Sequence, residues 1–109
     1  VSEEHDTEEW AMLIVTGTME IEGNAEAAMA AAVKMQKATR AEKGCQTYAF
    51  WRDLENPNLF RVYEEWDGID ALQAHGKTDH MAEFRKTLGD IGVRSRDISY
   101  FEGGPKTAL

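Results

Sequence analysis

GCQTYAFWRDLENPNLFRVYEEW, residues 44–66, holds two runs rich in aromatic and β-branched residues on either side of Asn56-Pro57. Such runs favour the pleated, half-buried surface of a sheet, and a short turn between them signals a hairpin, so Cys45 to Leu54 and Asn58 to Trp66 are predicted to pair antiparallel. Side chains alternate along a strand, which puts Phe60, Val62, Glu64 and Trp66 on one face and Leu59 and Tyr63 on the other. Tyr48, Phe50 and Arg52 share a face of the first strand. The hairpin register decides whether that face meets the helices or the outside.

Before the hairpin, residues 11–20 (AMLIVTGTME) read as a strand that Gly23-Asn24 stops. Asn24 can cap a helix over the alanine-rich segment 25–43, with Ala25, Ala28, Met29, Ala32, Val33 and Gln36 on its inner stripe and Gly44 as its left-handed stop. After the hairpin, Asp67 can cap a short helix carrying Ile69, Leu72 and His75 on one side and ending at Gly76. Thr78 can cap a second segment in which Met81, Phe84, Leu88 and Ile91 recur at helical spacing. A last strand runs from about Arg94 to Glu102, before the Gly103-Gly104-Pro105 breaker. The order is βαββαβ with its second helix broken in two, which specifies an α+β, ferredoxin-like fold with a four-stranded antiparallel sheet. Large apolar groups on both faces of the middle strands then predict a homodimer packed sheet to sheet.

The 109 residues suit one domain, read as a tail over 1–10, a folded unit over 11–102 and a tail over 103–109. A formal charge of -8 argues against nucleic acid, whose affinity comes from lysines and arginines releasing counterions. Glu3, Glu4, Asp6, Glu8 and Glu9 place part of that charge in the first tail. No apolar run is long enough to cross a bilayer. The lone Cys45 leaves no internal disulfide and, with the absence of a secretory pattern at the start, predicts a cytoplasmic protein.

Residues 44–66 followed by GIDALQAHGKTDHM (68–81) resemble the antibiotic biosynthesis monooxygenase domain family, and its bacterial quinol monooxygenase branch above all. The resemblance rests on Gly44-Cys45 with Tyr48 three residues on, Pro57, Glu64-x-Trp66, Leu72-x-x-His75 and Thr78-x-His80-Met81. It implies a dimeric α+β barrel with one pocket per subunit and an oxygenase that uses no metal, flavin or haem. Its substrates would be electron-rich quinols or phenols, which on losing a proton can reduce dioxygen themselves. Polyketide-modifying members carry an asparagine and a tyrosine where Val62 and Leu72 stand here. Haem-degrading relatives carry asparagine, tryptophan and histidine where Gly17, His75 and Phe84 stand, which argues against haem degradation. A further branch, isomerases of phosphorylated sugars, shares the Glu-x-Trp and Leu-x-x-His frame. A non-catalytic dimeric binding module remains the third alternative, because one scaffold hosts many functions.

Within this frame His75 is the candidate proton acceptor, since imidazole titrates near neutrality and the residue falls on the apolar side of its helix; the alternative is a core histidine satisfied by a carbonyl. Glu64 is the second candidate catalytic group, and if buried it needs a partner or stays protonated; a strand-to-helix tie is its alternative. Tyr48, Phe50, Trp66, Leu72, His80, Met81 and Phe84 are the candidate substrate-binding residues, with Trp66 expected as a pocket wall and His80 pointing partly away, toward the solvent edge. His75 and His80 are five apart across Gly76 and Thr78, not the three or four of a helical ligand pair, so no metal site is expected.

Overall fold

The computed structural model describes residues 12–109; the acidic tail read over 1–10 lies outside them. Seven elements follow in the order β1 (Met12–Ile21), α1 (Ala25–Thr39), β2 (Cys45–Arg52), β3 (Leu59–Trp66), α2 (Ile69–Gly76), α3 (Asp79–Ile91) and β4 (Val93–Gly103). They form one antiparallel sheet of order β2-β3-β1-β4 with the helices on one side, the expected ferredoxin-like arrangement. In β1 the alternate residues Leu13, Val15, Met19 and Ile21 are buried toward the helices. Gly17 completes that row, and a Cβ there would come within 2.0 Å of the Asp97 carbonyl oxygen. Its missing side chain lets β4 lie against β1.

Asn24 caps α1 by accepting a hydrogen bond from the Ala27 amide at 3.1 Å. The helix stops at Thr39, four residues short of the expected Lys43, because the chain changes to tighter bonds from Ala41 to Ala38 and from Glu42 to Thr39. Gly44, at φ +87°, then turns the chain into β2. The buried ridge of α1 is Ala28, Ala32, Met35 and Thr39, while Met29 and Val33 of the expected stripe are exposed. The edge strand explains this rotation. Gln36 Oε1 accepts the Phe50 amide at 3.1 Å and Arg40 Nε donates to the Tyr48 carbonyl at 2.9 Å, so one flank of α1 satisfies the outer edge of β2.

The hairpin aligns Tyr48 with Glu64, Phe50 with Val62 and Arg52 with Phe60, which turns the Tyr48 and Phe50 side chains to the helix side. β2 ends at Arg52, before the expected Leu54, because Asp53 Oδ2 accepts the Glu55 and Asn56 amides at 2.9 and 2.8 Å and begins the turn. Gly68, not Asp67, is the N-cap of α2; the Asp67 carboxylate instead accepts from Gln46 at 2.6 Å. Thr78 caps α3 through the Met81 amide at 3.2 Å, as its position predicts. The outer sheet face carries Leu59, Tyr63, Trp51 and Phe101, the last two more than half exposed, among polar neighbours.

Candidate functional site

Between the sheet and helices α2 and α3 lies a cavity of about 240 Å³, with β4 forming part of its wall. Its apolar lining comes from Val15, Met19, Phe50, Val62, Leu72, Met81, Phe84, Leu88 and Ile98. Tyr48, Glu64, His75, Arg85, Arg96, Ser99 and Tyr100 bring polar groups to it. A few convergent polar groups in an apolar cleft is the usual composition of a small-molecule site.

His75 occupies the last turn of α2 and is 4% exposed. Its ring lies 4.8 Å from that of Trp66 and 5.5 Å from that of Tyr48, and its Nδ1 is 2.7 Å from Glu42 Oε2. An ionised carboxylate can only accept, so against Glu42 the contact requires the proton on Nδ1, and in the neutral ring this tautomer leaves the lone pair on Nε2. A buried imidazole oriented in this way is a competent proton acceptor.

Glu64 lines the same cavity and accepts the Trp66 indole N–H at 2.8 Å. Burial pushes its pKa up to about 7; the indole bond works the other way, and the neighbouring Glu42 charge adds to the rise. A carboxyl poised there can hold or release a proton near neutral pH. Burial likewise raises the Tyr48 phenol, aided by the Glu64 charge, so Tyr48 remains a hydrogen-bond donor. Burial also raises the Cys45 thiol, which gives it no thiolate character.

The sign of the Glu64 effect is testable. Between its ordinary pKa of 4.5 and about 7 the folded chain holds a proton that the unfolded chain has lost, so rising pH removes stability across that window and not above it. The loss is on the order of 3 kcal/mol. Glu64→Gln, which can still accept from Trp66, is expected to flatten that slope in urea titrations at pH 5, 6, 7 and 8. An unchanged slope would remove Glu64 as its source.

The tertiary structure thus gathers His75, Glu64, Tyr48, Phe50, Leu72, Met81 and Phe84 at one cavity. Trp66 is not a wall of it. Its side chain is fully buried behind His75 and Tyr48, so no substrate ring can stack on it, and it holds Glu64 and His75 in place instead. His80 does not reach the cavity either: its Nε2 sits 2.6 Å from Glu42 Oε2, and its side chain borders a separate groove between α1 and α3. Glu42 carried no sequence signal, because the helix expected over 25–43 included it, whereas the structure ends that helix at Thr39 and puts Glu42 in the tight turn that follows. Arg85, on α3, and Arg96, on β4, belong to no motif that singles them out in the sequence.

The sequence profile of the antibiotic biosynthesis monooxygenase family matches residues 12–87, which include Tyr48, Glu64, His75 and Arg85 of the cavity but not Arg96, Ser99 or Tyr100. The chain belongs to the antibiotic biosynthesis monooxygenase family. Its fold is shared with a Deinococcus radiodurans protein that carries the same family name, at a TM-score of 0.78 and 28% identity over 89% of this chain and 97% of the other. A Bacteroides thetaiotaomicron protein of unknown function, described as a possible oxidoreductase, superimposes at a TM-score of 0.77 and 24% identity, covering 86% of this chain and 99% of that one. An uncharacterized protein of Synechocystis is 30% identical over 64 residues, 59% of this chain; the match spans 44% of that longer relative. None of the described helices is long and apolar enough to cross a membrane.

Proposed function

We propose that this domain is a cofactor-independent monooxygenase that oxidises a quinol or related phenol with dioxygen. The observation that carries the reading is the Glu42-oriented, buried His75 at the edge of an apolar cavity of about 240 Å³. That volume exceeds the roughly 150 Å³ that accepts benzene and suits a substituted single ring. His75 Nε2 takes the phenolic proton, and Glu42 steadies the imidazolium that results. The phenolate then gives one electron to dioxygen, the two radicals join as a peroxide on a ring carbon, and the peroxide takes back the proton held by His75. As the O–O bond breaks, Glu64 protonates the departing oxygen, which leaves as water, and the hydrogen on that ring carbon leaves as a proton that restores the Glu64 carboxyl. In sum, quinol and dioxygen give hydroxyquinone and water. Exposed Trp51 and Phe101 on the outer face support action as a sheet-to-sheet homodimer, and the single Cys45 suits a reducing cytoplasm.

Arg85 and Arg96 at the cavity support a second reading, isomerisation or lysis of an anionic, for instance phosphorylated, metabolite. An oxygen electrode separates the two. Metal-stripped protein with chelator present is expected to consume one dioxygen per hydroquinone across a panel of substituted rings. No uptake with any ring, together with isomerisation of a sugar phosphate under nitrogen, would replace the oxygenase by the isomerase. No uptake and no isomerisation, with the rings still bound, would leave a binding module.

A further inference from the structure

Three elements bring chemistry to one point beside the cavity: the turn after α1 delivers Glu42, the end of α2 His75 and the start of α3 His80. One donor atom from each lies within 4.8 Å of the others, and both imidazoles address the same carboxylate oxygen, at 2.7 and 2.6 Å. We propose that this triad binds a divalent first-row transition cation, Zn²⁺ being the ion its donors suit best.

Two imidazole nitrogens and one carboxylate oxygen form a borderline donor set that such cations take at about 2.0–2.2 Å, with a fourth position left to water. Ligands at that radius in a tetrahedron stand roughly 3.4 Å apart, so a cation enters once the bridging protons leave, the carboxylate oxygen draws back from both imidazoles and the two nitrogens, within 4.8 Å of each other, adjust toward that spacing. The charge around the triad favours this. The Glu42 side chain is only 12% exposed, and no lysine or arginine pairs with it among the described residues. His80, a quarter exposed, gives the ion a route in from solvent. The spacing objection also falls, because His75 and His80 belong to two packed helices and not to one.

Binding would have a functional consequence, which rests on the oxygenase reading. A cation on His75 Nδ1 leaves the ring proton on Nε2, so the imidazole facing the cavity donates where it otherwise accepts. The loaded site is then an off state, reversed by chelator.

Binding itself is tested without turnover. Untagged, chelator-stripped protein titrated with Zn²⁺ in a calorimeter is expected to take up one ion per chain, and Co²⁺ to give the intense visible bands of tetrahedral coordination. Excess Mg²⁺, which needs oxygen ligands, should not compete. His80→Ala and Glu42→Gln should each weaken Zn²⁺ by at least about tenfold, as even the loss of an outer-shell partner does. Glu83→Gln, outside the triad, should bind as wild type. In the unmutated protein, Zn²⁺ should shift the imidazole ¹⁵N resonances of both His75 and His80, a readout that no misfolded variant can obscure. Absence of stoichiometric uptake, or equal affinity in the two ligand variants with histidine resonances unmoved, overturns the proposal.

Discussion

His75→Ala is expected to lower quinol-dependent oxygen uptake by at least about a hundredfold, the usual contribution of a positioned general base. The loss should fall on kcat, because the imidazole contributes its lone pair to the reacting proton and little apolar surface to binding. Alanine leaves a void at a buried position, so His75→Gln is the companion variant. Glutamine can still donate to Glu42, fills most of the space and has no basic nitrogen, and it should be as inactive as alanine while unfolding near the wild-type midpoint. Substantial turnover by the glutamine variant would exclude His75 as the base.

Trp66→Ala is expected to destabilise the fold by about 3–5 kcal/mol, measured by denaturant titration. The side chain is wholly buried, packs its ring against His75 and Tyr48, and donates a hydrogen bond to the Glu64 carboxyl that no other side chain among the described residues supplies. Truncation therefore opens a core cavity and orphans a buried acid at once. Trp66→Phe separates the two effects: it keeps most of the packing and loses the N–H. With the indole bond gone, the Glu64 pKa should rise further, and the falling stability should extend to higher pH. A phenylalanine variant with the wild-type pH profile would mean that the indole bond does not tune Glu64.

Glu65 shows how far alternation alone can mislead about burial. Alternation puts it on the outer face, away from the helices, yet its side chain is almost fully buried. Burial alone would raise its pKa, but hydrogen bonds from Tyr63, Lys106 and Thr47 outweigh that and lower it. Lys106 comes from the segment after β4, which carries no periodic signal and was read only as a tail.

The run from Gly44 to Trp66 determined the hairpin by itself, because strand alternation and a turn are local properties, and the helix caps at Asn24 and Thr78 were legible for the same reason. The family frame around His75 was equally local. Packing decided the rest. Only the register of β2 against β3 turned Tyr48 and Phe50 to the cavity, and only the fit of α1 along the β2 edge exposed Met29 and Val33. Tertiary structure alone withdrew Trp66 from the cavity and set Glu42 between two histidines more than thirty residues away, since long-range proximity leaves no trace in a local pattern.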